Sequence, residues 1–169
     1  MIVQKVLFTA EECEWLRSAQ STTYPPIEDT KWWESHSINY RFKNIQERIV
    51  FEQERLDFVT SKVEELGVKS VPTYKIIHYG KGGFFAPHID SGRNHPIRRK
   101  TLLVQLSSEE DYSGGDMFVK DVLFEKTIGN TILFDSSLTH ELKLIEGGNR
   151  LVMVTWLSIY NLENPKTLL

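Results

Sequence analysis

Two residues at the end of the glycine-rich stretch 79–90, His88 and Asp90, have the types and spacing best suited to chemistry in this chain. On an extended strand both side chains leave the same face, so a neutral imidazole and a carboxylate can grip one ion. A third ligand is available in His140, fifty residues after Asp90, beyond the apolar run 130–134 and a turn at 135–137. Two imidazoles and one carboxylate make the facial set that holds non-haem Fe(II) and leaves coordination positions open. The His-x-Asp tripeptide alone also fits a hydrogen-bonded strand pair without a metal, because so short a motif arises by chance. Its surroundings carry the additional weight.

Arg150 is the first of these. It stands ten residues after His140, at the start of the last apolar run, 150–159. Alternation puts Arg150, Val152, Val154 and Trp156 on one face of that strand, and Leu151, Met153, Thr155 and Leu157 on the other. A guanidinium facing into a barrel is costly without an anion, and its natural partner there is a ligand carboxylate. The competing reading is an arginine exposed where the strand follows Gly147, Gly148 and Asn149. Tyr79 precedes His88 by nine residues across a glycine-rich turn, and Thr101 and Gln105 share one face of their own strand.

The elements that must position these groups are readable in part. Residues 2–8 form a short strand or extended lead-in, and Thr9 with Glu12 has the spacing of a capping box that opens a helix over 10–19. Residues 20–44 break into turn formers and an aromatic cluster containing Trp32, Trp33, Tyr40 and Phe42, with His36 among them. Leu56, Val59, Val63 and Leu66 recur at helical spacing, which predicts a helix over 51–66 stopped by Gly67. Beyond Gly67 the period shifts towards two, predicting strands at 73–79, 84–89, 100–107, 115–120, 130–134, 141–145 and 150–159. Helices followed by short strands imply an α+β, mainly β domain: an antiparallel sandwich or barrel with helices on one outer face. The expected organisation is one domain over 1–169, with helical support and a substrate-loop segment in 1–70 and the β core in 71–160. Two loops interrupt the strands, a basic one at 91–99 and an acidic one at 107–114, and either is placed to carry substrate contacts.

Composition sets the class. A chain of 169 residues with 40% hydrophobic and 25% charged residues is that of an ordinary globular domain. A net charge of -3 argues against broad phosphate-tracking contact with nucleic acid and favours small-molecule, peptide or protein partners. No secretory signal and no apolar run of membrane-spanning length is present, so a cytoplasmic protein without a membrane partner is expected. Cys13 is the only cysteine and sits in a helical pattern, which suits a buried structural role.

Over about 72–159 the chain resembles the prolyl 4-hydroxylase-like branch of the Fe(II)/2-oxoglutarate-dependent dioxygenases. The elements that carry the resemblance are Tyr79-Gly80, His88-Ile-Asp90, the run 100–106, Tyr112-Ser-Gly-Gly-Asp-Met-Phe118, the run 129–134, His140, Gly147-Gly-Asn-Arg150 and Trp156. The resemblance implies a double-stranded β-helix, or jelly-roll, core. It implies that Fe(II) is held by His88, Asp90 and His140, that 2-oxoglutarate chelates it, and that Arg150 pairs with the distal carboxylate. Tyr79 then hydrogen-bonds the cosubstrate and Trp156 lines the same cavity. O₂ is the oxidant, with ascorbate a candidate auxiliary. Many relatives carry a tyrosine where Gln105 stands; glutamine can still donate to a carboxylate, so Thr101 and Gln105 are candidates for the Arg150 end of the pocket. Halogenating relatives replace the carboxylate ligand by a small residue, so Asp90 points to hydroxylation.

The expected reaction is hydroxylation of a prolyl or other residue in a peptide or protein, with a free amino acid or small metabolite as the alternative substrate. Two other classes compete. An oxidative nucleic-acid dealkylase would need a basic face and a further arginine after Arg150, but no Arg or Lys stands between Arg150 and Lys166. A non-catalytic jelly-roll binding module predicts loss of a ligand or of the arginine, and all are retained. Of the remaining groups, His78 should face away from Tyr79, and His36, His95 and the basic loop read first as solvated surface. As a lid, that loop would favour substrates bearing carboxylates. Trp32 and Trp33 divide between plugging the helix-to-sheet interface and walling the pocket.

Overall fold

The computed structural model describes residues 1–23 and 42–163, with the backbone alone at 21–23 and 42–44. Trp32, Trp33, His36 and Tyr40, weighed above for interface and substrate roles, lie outside the described residues. Strand β1 (Ile2–Val6) leads into helix α1 (Ala10–Arg17), whose start is the predicted capping box. Glu12 N–H donates to the Thr9 hydroxyl at 3.1 Å, and the Glu12 carboxylate accepts from Thr9 N–H at 2.9 Å. Two strands then appear that periodicity did not mark, β2 (Ser21–Thr23) and β3 (Phe42–Val50). In β3 the polar residues Gln46, Glu47 and Arg48 interrupt the alternation, and two of them are satisfied across the fold. Glu47 pairs with Lys75 at 3.0 Å, and Arg48 donates to the Arg17 carbonyl at 3.1 Å.

Helix α2 (Gln53–Val63) runs on as a 3₁₀ turn over Glu64–Leu66 and stops at Gly67, whose φ of +81° is the left-handed cap that glycine allows. The remaining strands are β4 (Tyr74–His88), β5 (Lys100–Gln105), β6 (Tyr112–Gly114), β7 (Met117–Val119), β8 (Val122–Phe124), β9 (Asn130–Asp135), β10 (His140–Leu142), β11 (Ile145–Gly148) and β12 (Arg150–Leu157). The main sheet has the order β1-β9-β5-β12-β4-β10-β7-β8, with β3 also paired to β4 and β2 to β3, while β11 and β6 form a separate pair. All these pairings are antiparallel.

Four features of the strand pattern differ from expectation, and one of them, the strand expected at 141–145, is broken into β10 and β11, which pair with different partners. The strands predicted at 73–79 and 84–89 are one element, because β3 pairs with both halves of β4, Ile45 opposite Tyr79 and Phe42 opposite Phe85. The acidic segment predicted as a loop contains β6, and the strand expected at 115–120 is shortened to β7, which forms a hairpin with the unpredicted β8.

Alternation divides the apolar residues of the sheet between two cores. Cys13 and Leu16 of α1 and Leu56, Val59 and Val63 of α2 pack with Ile76, Leu102, Val104, Met153 and Leu157. On the other face Ile77, Tyr79, Leu103, Ile132, Phe134, Val152 and Val154 turn inward. The helices therefore cover one outer face, as expected, and the second face encloses the site. Cys13 belongs to the helix side, where burial pushes its thiol up to about 11, so it is a packing group. No helix among the described residues is long and apolar enough to cross a membrane.

Candidate active site

Strand register brings the distant residues together. His140 of β10 lies opposite His88 of β4, Arg150 of β12 opposite Tyr79 of β4, and Trp156 of β12 opposite Thr101 of β5. Residues opposed in an antiparallel pair hold their Cβ atoms roughly 5 Å apart on one face. Each of these pairs was separated in sequence by at least fifty residues.

His88, Asp90 and His140 each offer a ligand atom, and these atoms lie within 4.8 Å of one another. His88 Nε2 is 3.6 Å from Asp90 Oδ1, and His140 Nε2 is 3.3 Å from Oδ2. Both Nδ1 atoms are occupied from behind: His88 Nδ1 lies 2.8 Å from the Ala86 carbonyl and His140 Nδ1 3.0 Å from that of Leu138. A carbonyl can only accept, so each Nδ1 donates its N–H and each Nε2 turns toward the shared space, the orientation a metal-binding histidine requires. Phe85 stacks on the His88 ring at 3.8 Å, and Phe134 meets the His140 ring edge-on at 4.9 Å.

Asp90 stands just past the end of β4 and not on it, so the turn before β10 holds it. Its N–H donates to the Ser136 carbonyl at 2.9 Å. The Thr101 hydroxyl donates to Asp90 Oδ2 at 2.8 Å and lies 3.0 Å from the Ser136 hydroxyl. Burial raises the Asp90 pKa, but adjacent His140, the Trp156 indole N–H and the Thr101 hydroxyl overcome it and hold the carboxyl at about 2. The Trp156 N–H faces this carboxylate without completing a hydrogen bond.

Arg150 is 2% exposed and lines the barrel interior. Its Nη2 meets the Met117 sulfur at 3.6 Å, its guanidinium carbon lies 5.4 Å from the Tyr79 ring centroid, and its Nε has no partner. Among the described residues no carboxylate pairs with it. Burial pushes the Tyr79 hydroxyl far above its ordinary range, so it is a protonated donor at neutral pH. A cavity of about 480 Å³ joins Arg150, Tyr79 and Trp156 to the His88, Asp90 and His140 cluster, with Leu103, Val152 and Val154 on its apolar wall.

Of the five cosubstrate contacts expected from sequence, Tyr79, Arg150 and Trp156 therefore line one cavity. Thr101 and Gln105 share the inward face but stand behind the lining. Thr101 serves Asp90, while Gln105 Nε2 donates to the Tyr112 hydroxyl at 2.9 Å and the Ser107 carbonyl at 3.1 Å. His78 faces away, with Nε2 2.7 Å from Asn149 Oδ1. Sequence reasoning gave no role to Ser136, Met117 or Lys75. Counting back by two from Tyr79 would have put Lys75 on the cavity face; Ser136 and Met117 had no such signal.

The donor set suits a divalent metal with one face left open, and the unpartnered buried Arg150 suits the far carboxylate of a dicarboxylic acid bound to that metal. Comparisons with known proteins agree with the fold. A prolyl-4-hydroxylase structure from Pseudomonas putida superposes with a TM-score of 0.63 over 93% of this chain and 91% of that one, at 18% identity. The structure of OsALKBH1 does so with a TM-score of 0.57 over 92% of this chain and 97% of that one, at 10% identity. Both likenesses establish the jelly-roll architecture. A PKHD-type hydroxylase of Prochlorococcus marinus is 28% identical over 98 residues, covering 56% of this chain and 42% of that protein. One from a Psychrobacter species is 28% identical over 96 residues, covering 50% and 36%. These matches span about two fifths of the curated relatives' own length. The sequence model of the 2OG-Fe(II) oxygenase superfamily matches residues 74–158, the run from β4 to β12 that supplies most of the cavity lining, and the chain belongs to that superfamily.

Proposed function

We propose that this chain is an Fe(II)- and 2-oxoglutarate-dependent hydroxylase acting on a prolyl or other residue of a peptide or protein. His88, Asp90 and His140 hold the metal, Arg150 receives the distal carboxylate of 2-oxoglutarate, and Tyr79 and Trp156 border the same ligand. When bound, Fe(II) with 2-oxoglutarate and O₂ supplies oxidative decarboxylation of the cosubstrate to succinate, coupled to hydroxylation of a C–H bond. The chain contributes geometry and a dry wall. The Ala86 and Leu138 carbonyls orient the imidazoles, Thr101 ties down Asp90 Oδ2, and Leu103, Val152 and Val154 exclude water. The observation that carries this reading is a fully buried arginine, unpaired with any carboxylate among the described residues, in the cavity that also holds the ligand triad. The relatives named as PKHD-type and prolyl hydroxylases support a hydroxylase, and the prolyl name favours a prolyl group as the substrate.

The test is an anaerobic titration of the protein with Fe(II) and 2-oxoglutarate. A weak visible charge-transfer band should form and should vanish in His140→Ala. Succinate release, with and without ascorbate, is then measured across proline-rich peptides, free amino acids and oligonucleotides. Failure of the wild-type band to form would sink the reading.

A further inference from the structure

The basic loop over 91–99 is more than a solvated face, since Arg93, Asn94, His95 and Arg98 line the cavity wall beside the metal ligands. Arg98 is fixed in two ways. Its guanidinium carbon sits 3.8 Å from the centroid of the Trp156 ring, and its Nη1 donates to the Asp90 carbonyl at 3.3 Å. Stacking on an indole and one backbone bond leave most of the five N–H groups of the fork unengaged.

The charges around this wall do not balance. Lys75 is matched by Glu47 at 3.0 Å, and Glu141 by Lys143 at 3.0 Å. Burial and the Arg98 charge both disfavour a positive charge on His95. Asp90 belongs to the ligand triad and Arg150 to the cosubstrate end. Among the described residues no carboxylate pairs with the side chain of Arg98 or of Arg93. Two positive charges therefore remain on the cavity wall, one held immobile on the same tryptophan that lines the site.

We propose that Arg98, stacked on Trp156 and assisted by Arg93, anchors a carboxylate of the primary substrate. A planar, immobilised guanidinium suits bidentate capture of a carboxylate, and its ordering cost is already met by the stack. The substrate class is thus a carboxylate-bearing one. The group is either the α-carboxylate of a free amino acid or an acidic side chain near the modified residue of a peptide. This inference rests on the hydroxylase reading.

The experiment measures substrate-stimulated succinate release from the Fe(II)-loaded protein with matched probes. Free L-proline, L-lysine and L-glutamine are set against their carboxamides, and prolyl peptides carrying Asp or Glu against the same peptides carrying Asn or Gln. The carboxylate member of at least one pair should stimulate at least tenfold more than its amide, and which pair responds identifies the source of the group. Arg98→Gln should reduce that ratio to below about twofold, Arg98→Lys should retain part of it, and Arg98→Glu should favour the amide. Arg93→Gln should lower the ratio partially. Equal stimulation by both members, no stimulation by any carboxylate, or an unchanged ratio in Arg98→Gln overturns the proposal. The anaerobic charge-transfer band separates the two readings. Its absence from the wild type defeats the hydroxylase itself, whereas a wild-type band without carboxylate preference defeats only the anchor. Loss of the band in Arg98→Gln overturns the anchor by assigning Arg98 to the cosubstrate or the fold.

Discussion

Replacing Arg150 by Met removes the buried cation while keeping a long side chain, and its effect on stability should differ in sign from its effect on binding. Without cosubstrate the guanidinium is 2% exposed, its Nε unpaired, with a thioether and a phenol ring as neighbours. Replacing such a buried charge by an apolar group of similar volume is neutral or stabilising. The variant alone should therefore unfold at an unchanged or higher urea concentration. With 2-oxoglutarate the comparison reverses, because removing one partner of a buried charge pair costs roughly 2–5 kcal/mol, or about 30-fold to several-thousand-fold in affinity. At about 100 times the wild-type Kd, ligand adds about 2.7 kcal/mol to stability. For a domain of this size each kcal/mol moves Tm by about 2–4 °C, so the wild type should gain about 5–11 °C. A 30-fold weaker variant gains less than about 3.5 °C at the same concentration. Thermal scans with Mn(II), with and without 2-oxoglutarate, read both numbers, and a Mn(II) titration checks that metal binding survives. A variant destabilised by several kcal/mol without ligand, or one that keeps the full ligand-dependent gain, would refute the reasoning.

Thr101→Val is nearly isosteric and removes only the hydroxyl that meets Asp90 at 2.8 Å. Loss of such a supporting contact typically lowers metal affinity about 10- to 100-fold. Co(II) titration of the metal-free protein should show that loss, Thr101→Ser should restore affinity, and 2-oxoglutarate affinity at saturating metal should not change; the reverse outcome would return Thr101 to the cosubstrate. Gly129→Ala places a Cβ 1.8 Å from the Phe8 carbonyl oxygen at a φ of +80°, so a loss of at least about 2 kcal/mol is expected in urea, and one below about 0.5 kcal/mol would contradict the packing there. Burial raises the pKa of both Tyr74 and Tyr79, so the native state keeps two protons that an unfolded chain releases near pH 10. Stability should accordingly fall as pH rises through about 10. Absorbance at 295 nm should show these phenolates forming only with unfolding, and their ordinary titration in the native protein would count against the burial.

The meeting of His88 with His140 and the inward face of Arg150 were legible because strand alternation decides which side chains share a face, whatever the curvature of the sheet; Asp90, past the end of β4, is brought to them by the turn at Ser136 instead. The helices were legible for a similar reason, a capping box at Thr9 and a three-four spacing from Leu56 to Leu66. Alternation gives a face but not a depth. It put Thr101 and Gln105 on the inward side correctly, yet what each hydrogen-bonds depends on Ser136 and Tyr112, which arrive from other turns. The strand β3 escaped notice because Glu47 and Arg48 acquire partners only after folding. Arg98 gave no local signal either, since its platform, Trp156, lies 58 residues downstream.

The continuity of β4, which the sequence pattern divided in two, explains how His88, His140 and Arg150 share one frame. Its first half pairs with β12 and places Tyr79 opposite Arg150; its second half pairs with β10 and places His88 opposite His140. Gly82, at a φ of +82°, lies between the halves, and a Cβ there would meet nothing within 4 Å. Its requirement is one of backbone conformation alone: the strand must turn to serve two neighbours without ending. A slip of one residue in either pairing would carry a histidine or the arginine to the opposite face. The distance from the paired histidines to Arg150 is thus set by hydrogen-bonded register along a single strand. On the proposed function that register would fix the length of the cosubstrate, and the loop over 91–99 with Arg98 would be left to specify what is oxidised.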